Sequence, residues 1–200
     1  MGMKINEIFY SLQGEGYWVG KPAVFIRMSG CNLSCPFCDT RHEDFQEISA
    51  DDIVAEILAY PARHVVITGG EPALQLSDSL AGALKAAGFY IQIETNGSVV
   101  LPGDVLGMVD WVTCSPKTDE MPCIGRIDEL KVLFMPDGDV ARLERFERLA
   151  SERGAVLSLQ PCDVGDEGCN RAITCAAIEF VKAHPAWRLS LQTHKMLDIR

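Results

Sequence analysis

Residues 23–38 read Ala-Val-Phe-Ile-Arg-Met-Ser-Gly-Cys-Asn-Leu-Ser-Cys-Pro-Phe-Cys. The branched and aromatic run from Ala23 to Met28 has strand character, and it leads directly into Cys31, Cys35 and Cys38. Thiolates at this uneven spacing can all reach one cubane 4Fe-4S cluster, and three ligands for four irons leave one iron open to a small molecule. A zinc knuckle is the competing reading. Zinc wants a closed tetrahedral set, usually from two separated pairs, and the next cysteine, Cys114, is far along the chain. An electron carrier would need a fourth protein ligand, so the open iron points to chemistry.

Outward from this stretch, further strand-like runs cover His64 to Thr68, Phe89 to Glu94, Val109 to Thr113, Leu130 to Met135, Val156 to Gln160 and Trp187 to Gln192. Helical spacing of apolar residues separates them at Asp51 to Tyr60, Ser77 to Ala87, Asp139 to Arg153 and Asn170 to His184, with Ser49 and Ser77 placed as N-caps. Such alternation predicts an α/β fold with right-handed crossovers and a mostly parallel sheet. Lys4 to Tyr10 adds a short strand. From Cys114 to Arg126 the chain holds Pro116, Pro122 and Gly125 without an apolar stripe, so that crossover lacks a regular helix and the barrel is expected to be incomplete there. No repeat, low-complexity tract or linker splits residues 1–200, which are expected to form one domain.

Composition narrows the function classes. The 200 residues are 48% hydrophobic and 23% charged, and no apolar run approaches the length of a membrane span. Met1-Gly2-Met3-Lys4 shows no signal-peptide pattern, which predicts a cytoplasmic chain. In that reducing setting the eight cysteines are expected as metal ligands or free thiols, and Cys162, Cys169 and Cys175 read as ordinary thiols. A formal net charge of −10 argues against nucleic acid as a partner, and an anionic substrate would need a few local cations.

In parallel α/β architectures ligands gather at the carboxyl ends of the strands, and the unusual residues here fall at those ends. Arg27 and the cysteine loop close the first run, Thr68-Gly69-Gly70-Glu71-Pro72 the next, and Glu94-Thr95-Asn96-Gly97 the third. Ser115-Pro116-Lys117, Gln160-Pro161 and Gln192-Thr193-His194-Lys195 close later ones. The paired glycines let backbone approach a ligand closely, and Glu71 can accept from an ammonium. Arg27 offers a planar fork to a carboxylate. Glu15 and Gln13, flanked by Gly14 and Gly16, can read an amide and amino edge, although a generic turn is the plain alternative.

The cysteine spacing together with Gly69-Gly70-Glu71-Pro72 resembles the radical S-adenosylmethionine (SAM) superfamily. The resemblance implies a partial parallel β/α barrel whose open iron is chelated by the amino and carboxylate groups of SAM. Further matches are Tyr10-Ser11-Leu12-Gln13-Gly14-Glu15-Gly16, Phe25-Ile26-Arg27, Cys38-Asp39-Thr40, Glu94 to Gly97, Ser115 to Lys117 and Leu189 to Lys195. Read together, from about Glu7 to Lys195, they are similar to the 7-carboxy-7-deazaguanine synthase family of queuosine and 7-deazapurine biosynthesis.

That resemblance implies a carbon–nitrogen lyase that contracts 6-carboxy-5,6,7,8-tetrahydropterin to 7-carboxy-7-deazaguanine with release of ammonia. SAM would serve as a regenerated source of a hydrogen-abstracting radical, with no catalytic side chain beyond the cluster and SAM. It implies SAM contacts from Phe37, Gly69, Gly70, Glu71, Thr95, Ser115, Lys117 and Gln160. Substrate contacts are implied for Leu12, Gln13, Gly14, Glu15, Gly16, Arg27, Thr68 and His194, and a Mg2+ ligand in Thr40. A homodimer and a reductant protein such as flavodoxin also follow from the family. Another small radical SAM enzyme, such as a glycyl-radical-enzyme activase, would share the cysteines and glycines but would need an open apolar docking face in place of a closed polar pocket.

Overall fold

The computed structural model describes residues 2–36, 38 and 44–200. The strands are β1 (Met3–Leu12), β2 (Pro22–Met28), β3 (Gln46–Ile48), β4 (His64–Gly69), β5 (Tyr90–Thr95), β6 (Trp111–Cys114), β7 (Glu129–Phe134), β8 (Val156–Pro161) and β9 (Trp187–Leu189). The helices are α1 (Ala50–Ile57), α2 (Asp78–Ala86), α3 (Gly103–Met108), α4 (Val140–Arg153), α5 (Glu167–Ala183) and α6 (Thr193–Leu197). The strands form one open sheet in the order β3-β1-β2-β4-β5-β6-β7-β8-β9. From β2 across to β9 the pairing is parallel. β1 runs antiparallel to both β2 and β3.

Local chemistry sets these boundaries. Ser49 accepts from Asp52 N at 3.2 Å and Ser77 from Leu80 N at 3.4 Å, so the expected caps stand one residue before α1 and α2. Asp139 and Asp166 cap α4 and α5 in the same way. Gly154 ends α4 in the left-handed region at φ 65°, which lacks a Cβ penalty only for glycine. The crossover between β6 and β7 has no helix, as the prolines predict. The sheet does not break there, however: Thr113 pairs with Glu129 and Cys114 with Leu130, and the barrel is incomplete instead between its edge strands β3 and β9.

Other expectations need correction. The last strand stops at Leu189 rather than Gln192, because Thr193 donates both N and Oγ1 to Gly14 O at 2.9 Å, turning the chain back across the sheet. The short elements β3, α3 and α6 were not expected, since each spans too few residues to show a period.

Alternation along the strands separates two faces. Val24, Ile26 and Met28 of β2, Val65 and Ile67 of β4, Ile91 and Ile93 of β5 and Leu130 and Val132 of β7 are fully buried against the helices, where Ile53, Leu84, Phe146 and Ala177 complete one core. On the opposite face Phe9, Phe25 and Val66 form a small apolar cluster, and Gln92, Thr113, Glu129, Lys131, Ser158 and Gln160 are buried polar groups. Phe146, 1% exposed, sits in the core. Replacing Phe146 with Ala is expected to cost about 3–5 kcal/mol, read as a lower denaturation midpoint at unchanged slope.

Candidate functional site

The inner polar face opens into a cavity of about 1220 Å3 at the carboxyl ends of the parallel strands. Leu12 reaches it from the end of β1, Gln13, Gly14 and Glu15 from the loop after β1, Arg27 from β2, and Cys31, Cys35 and Cys38 from the loop after β2. Thr68, Gly69 and Gly70 come from the end of β4, Thr95 from β5, Ser115 and Lys117 from beyond β6, Gln160 from β8, and His194 from α6. Gly16 and Glu71 lie behind the lining. Phe37 and Thr40 lie outside the described residues.

The cysteine loop is seated by the glycines. Gly70 N donates to Met28 O and Glu71 N to Gly30 O, each at 2.9 Å. A Cβ on Gly70 would stand 2.0 Å from Gly30 O, and one on Gly69, which has φ 116°, would stand 2.1 Å from Met28 O. The two glycines therefore allow the end of β4 to press against the base of the cysteine loop, and the close approach they permit is to backbone first.

Glu71 is fully buried, and its carboxylate accepts from Thr95 Oγ1 at 2.6 Å, Asn96 N at 2.7 Å and Ala73 N at 2.9 Å. Burial pushes its carboxyl above the ordinary range, while these donors pull it back. Oε1 takes the donors from Thr95 and Ala73, and Oε2 takes Asn96 N. Here the carboxylate fastens the end of β5 to the end of β4, and Asn96 in turn reaches Cys31 Sγ at 3.9 Å and Asn32 Oδ1 at 3.1 Å.

Cys31 and Cys35 are half-buried, and Cys38 is exposed. Burial raises the Cys35 thiol, Lys117 opposes this, and the neighbouring Cys31 and Cys38 raise it further. Among the described residues no three metal-binding side chains surround a single ion position. A cubane takes one thiolate on each of three irons, so its ligands need not converge on one point. Three thiols on one loop, lining the cavity beside a glycine-built strand end, fit a cluster with one open iron. Lys117 Nζ donates to Ser115 Oγ at 2.9 Å, and its ammonium is weakened by burial and by Lys131.

Opposite the cysteines, Arg27 Nε meets Glu7 Oε1 at 2.8 Å, and its guanidinium lies 5.8 Å from the Phe9 ring centroid. Arg200 Nη2 shares Glu7 at 3.0 Å. The Gln13–Gly16 loop is held from three sides. Tyr17 N and Gly16 N donate at 2.9 Å to Glu129 Oε1 and Ser190 Oγ, Gln13 Nε2 donates at 2.7 Å to Glu94 Oε1, and Gln192 Nε2 donates at 2.9 Å to Glu15 Oε1. The His194 ring packs so closely on Gly14 that a Cβ there would stand 2.3 Å from Nδ1. Ser190 Oγ also donates to Gln160 Oε1 at 3.0 Å.

Sequence reasoning placed Glu94 and Gln192 at strand ends without giving them a role, and it missed Lys131 as a site residue and Glu129 as the support beneath them. The signal was present: Gln92 and Glu94, Glu129 and Lys131, and Ser158 and Gln160 recur at every second position of strands that also carry apolar residues. Cys162 is buried beside the cavity, and Cys169 and Cys175 are exposed thiols on α5.

An open α/β sheet with a three-cysteine loop and a glycine-built neighbour at its ligand-binding end is the architecture of a radical SAM domain, and residues 25–118 match the model of the Radical SAM superfamily. At full length, the chain is 50% identical over 200 residues to a 7-carboxy-7-deazaguanine synthase of Bacteroides thetaiotaomicron, covering all of both chains. It superposes on the crystal structure of QueE from Escherichia coli with a TM-score of 0.75 and 32% identity, over 96% of this chain and 94% of that one. Streptococcus suis SuiB bound to S-adenosylmethionine shares the fold alone, with a TM-score of 0.54 and 13% identity over 80% of this chain and 48% of that one. The chain belongs to the 7-carboxy-7-deazaguanine synthase family.

Gly70→Ala forces a Cβ into the carbonyl that starts the cysteine loop. The variant is expected to fold with native circular dichroism and to lose most of its iron and the visible absorbance of the reconstituted cluster. A full iron complement in Gly70→Ala would show that this packing does not set the loop.

Proposed function

We propose that this chain contracts the ring of 6-carboxy-5,6,7,8-tetrahydropterin to give 7-carboxy-7-deazaguanine and ammonia, acting as a radical SAM carbon–nitrogen lyase. The observation that carries the reading is one cavity in which the three-cysteine loop and the Gly69-Gly70 strand end face Gln13, Glu15, Arg27 and His194. This is a polar pocket for a small molecule, and it favours the ring contraction over a protein-activating relative.

In this reading Cys31, Cys35 and Cys38 hold a 4Fe-4S cluster, and Gly69, Gly70, Thr95, Ser115, Lys117 and Gln160 hold SAM. Bound there, the cluster and SAM supply a radical able to take a hydrogen atom from carbon. The chain's own residues bind and orient. Arg27 is already half paired to Glu7, which fixes the plane of its guanidinium so that the fork can meet the substrate carboxylate. Gln13 and Glu15 accept from the amino and amide edge of the pterin, with Leu12, Gly14 and Thr68 shaping its walls. His194 closes the pocket over Gly14. Gly16 takes part by bringing the loop onto Glu129.

Glu71 belongs to the SAM set in this reading, as an acceptor for its amino group, and it also fixes Thr95 and Asn96. Thr40 would offer a hydroxyl to a Mg2+ ion, a hard ligand for a hard cation, and Phe37 would belong to the SAM set. The family reading extends to a homodimer reduced by a protein such as flavodoxin. Among the described residues no helix is long and apolar enough to cross a membrane, which accords with a cytoplasmic setting.

Anaerobically reconstituted protein given reductant, SAM, Mg2+ and the carboxytetrahydropterin is expected to yield carboxydeazaguanine and ammonia while SAM is spared, followed by mass spectrometry. Stoichiometric loss of SAM without a deazapurine would count against the reading. Thr40→Ala is expected to weaken the response to Mg2+ with cluster content intact; an unchanged Mg2+ dependence would remove Thr40 from the metal site.

A further inference from the structure

Lys131 is the most deeply buried cation bordering the cavity, with a side chain 5% exposed. It comes from the middle of β7, on the face opposite the helices. Its Nζ donates to Glu15 Oε2 and, at 3.5 Å, to Glu94 Oε2. Gln192 and Gln13 donate to the second oxygens of these carboxylates. Glu129 of β7, Lys117 beyond β6 and His194 of α6 are the other titratable groups whose charge bears on the trio.

We propose that Lys131 is a positioning residue for the substrate: as internal counter-ion it keeps Glu15 charged beside Glu94, so that both present acceptors to the donor-bearing 2-amino edge of a pterin. This inference rests on the pterin reading given above. Its physical basis is that two carboxylates around one half-buried point cannot both stay ionised without a cation, and one of them would take a proton. A protonated carboxyl turns a donor toward a donor edge.

Lys131 opposes that outcome. Burial works against the charged form of Glu15, but the ammonium of Lys131, aided by hydrogen bonds from Lys131 and Gln192, holds its carboxyl down at about 2, against an ordinary value of 4.5. Burial likewise disfavours the Lys131 ammonium, and Glu15 and Glu94 together drive it above its usual range. For the depressed carboxyl, stabilisation by the pair is present above its unfolded value and fades as pH falls toward 2; for the raised ammonium it fades only as pH climbs past the lysine range. Both ions therefore persist across neutral pH.

The test is a double-mutant cycle read as substrate affinity and KM with the carboxytetrahydropterin, on anaerobic cluster-loaded protein with SAM. Lys131→Met is expected to weaken binding on the order of tenfold to a hundredfold, the range of a charge-assisted hydrogen bond. It should also give binding an acid limb between roughly pH 6 and 8, where an unpaired buried carboxyl titrates, whereas the parent protein stays flat. Lys131→Arg should restore the flat profile. In a Glu15→Gln background, Lys131→Met should add little, because the neutral amide no longer needs a counter-ion.

Equal added loss in both backgrounds, or a flat profile in Lys131→Met, would overturn the inference. Infrared difference spectra between the parent protein and Glu15→Gln test it even if Lys131→Met does not fold: a carboxylate band at neutral pH supports it, and a protonated carboxyl band sinks it. A parent protein that neither binds nor converts the pterin would instead overturn the substrate reading itself.

Discussion

Alternation along β5, β7 and β8 is the constraint from which the rest follows. One set of side chains, such as Ile91, Ile93, Leu130, Val132, Leu157 and Leu159, closes against the helices with almost no solvent contact. The other set, Gln92, Glu94, Glu129, Lys131, Ser158 and Gln160, must then face inward. Parallel strands usually carry apolar residues on both faces. Here the second face holds charges that have to be paired or hydrogen-bonded to remain buried, and those pairings are what bring the Gln13–Gly16 loop and the segment from Ser190 to His194 onto the sheet.

The site is consequently built by interlocking supports. Glu129 accepts from Thr113 Oγ1 at 3.1 Å, Ser158 Oγ at 2.5 Å and Tyr17 N at 2.9 Å, tying three neighbouring strands to the loop that follows β1. Glu71 does the same on the cysteine side, with Thr95, Asn96 and Ala73. Each is a carboxylate with several donors and little solvent, an arrangement in which losing one partner strands another. Together they set where the cavity walls stand.

Much of this was legible in the residues. The cysteine spacing, the glycine pair and the strand–helix alternation depend on local sequence, and the structure places nearly all of the described candidate residues around one cavity. What escaped was of two kinds. Short elements such as β3 and α3 form because neighbours pair with them or cover them, as Met3 to Ile5 do for β3; too few residues carry the period for it to be read. Lys131 escaped because a charged residue inside a strand run looks like an exposed position until its partner, here Glu15, 116 residues away in the chain, is brought beside it. Glu71 was marked by its motif, while only the fold shows that its oxygens also tie Thr95, Asn96 and Ala73 to the end of β4.

Charge placement explains how an acidic chain serves anionic ligands. The whole sequence has 18 Lys and Arg against 28 Asp and Glu, whereas the cavity among the described residues is lined by Arg27, Lys117, Lys131, Arg142, Lys195 and Arg200 against Glu15, Glu94, Asp119, Asp139 and Asp163. Near-balance there contrasts with the net −10 of the chain, and low-dielectric walls strengthen each local pairing. The balance is also polarised. Arg27 projects from β2, whereas Glu15 and Glu94 meet on Lys131 of β7, four strands across the sheet, so the Arg27 guanidinium at one side and the ion trio at the other give the cavity two unlike ends.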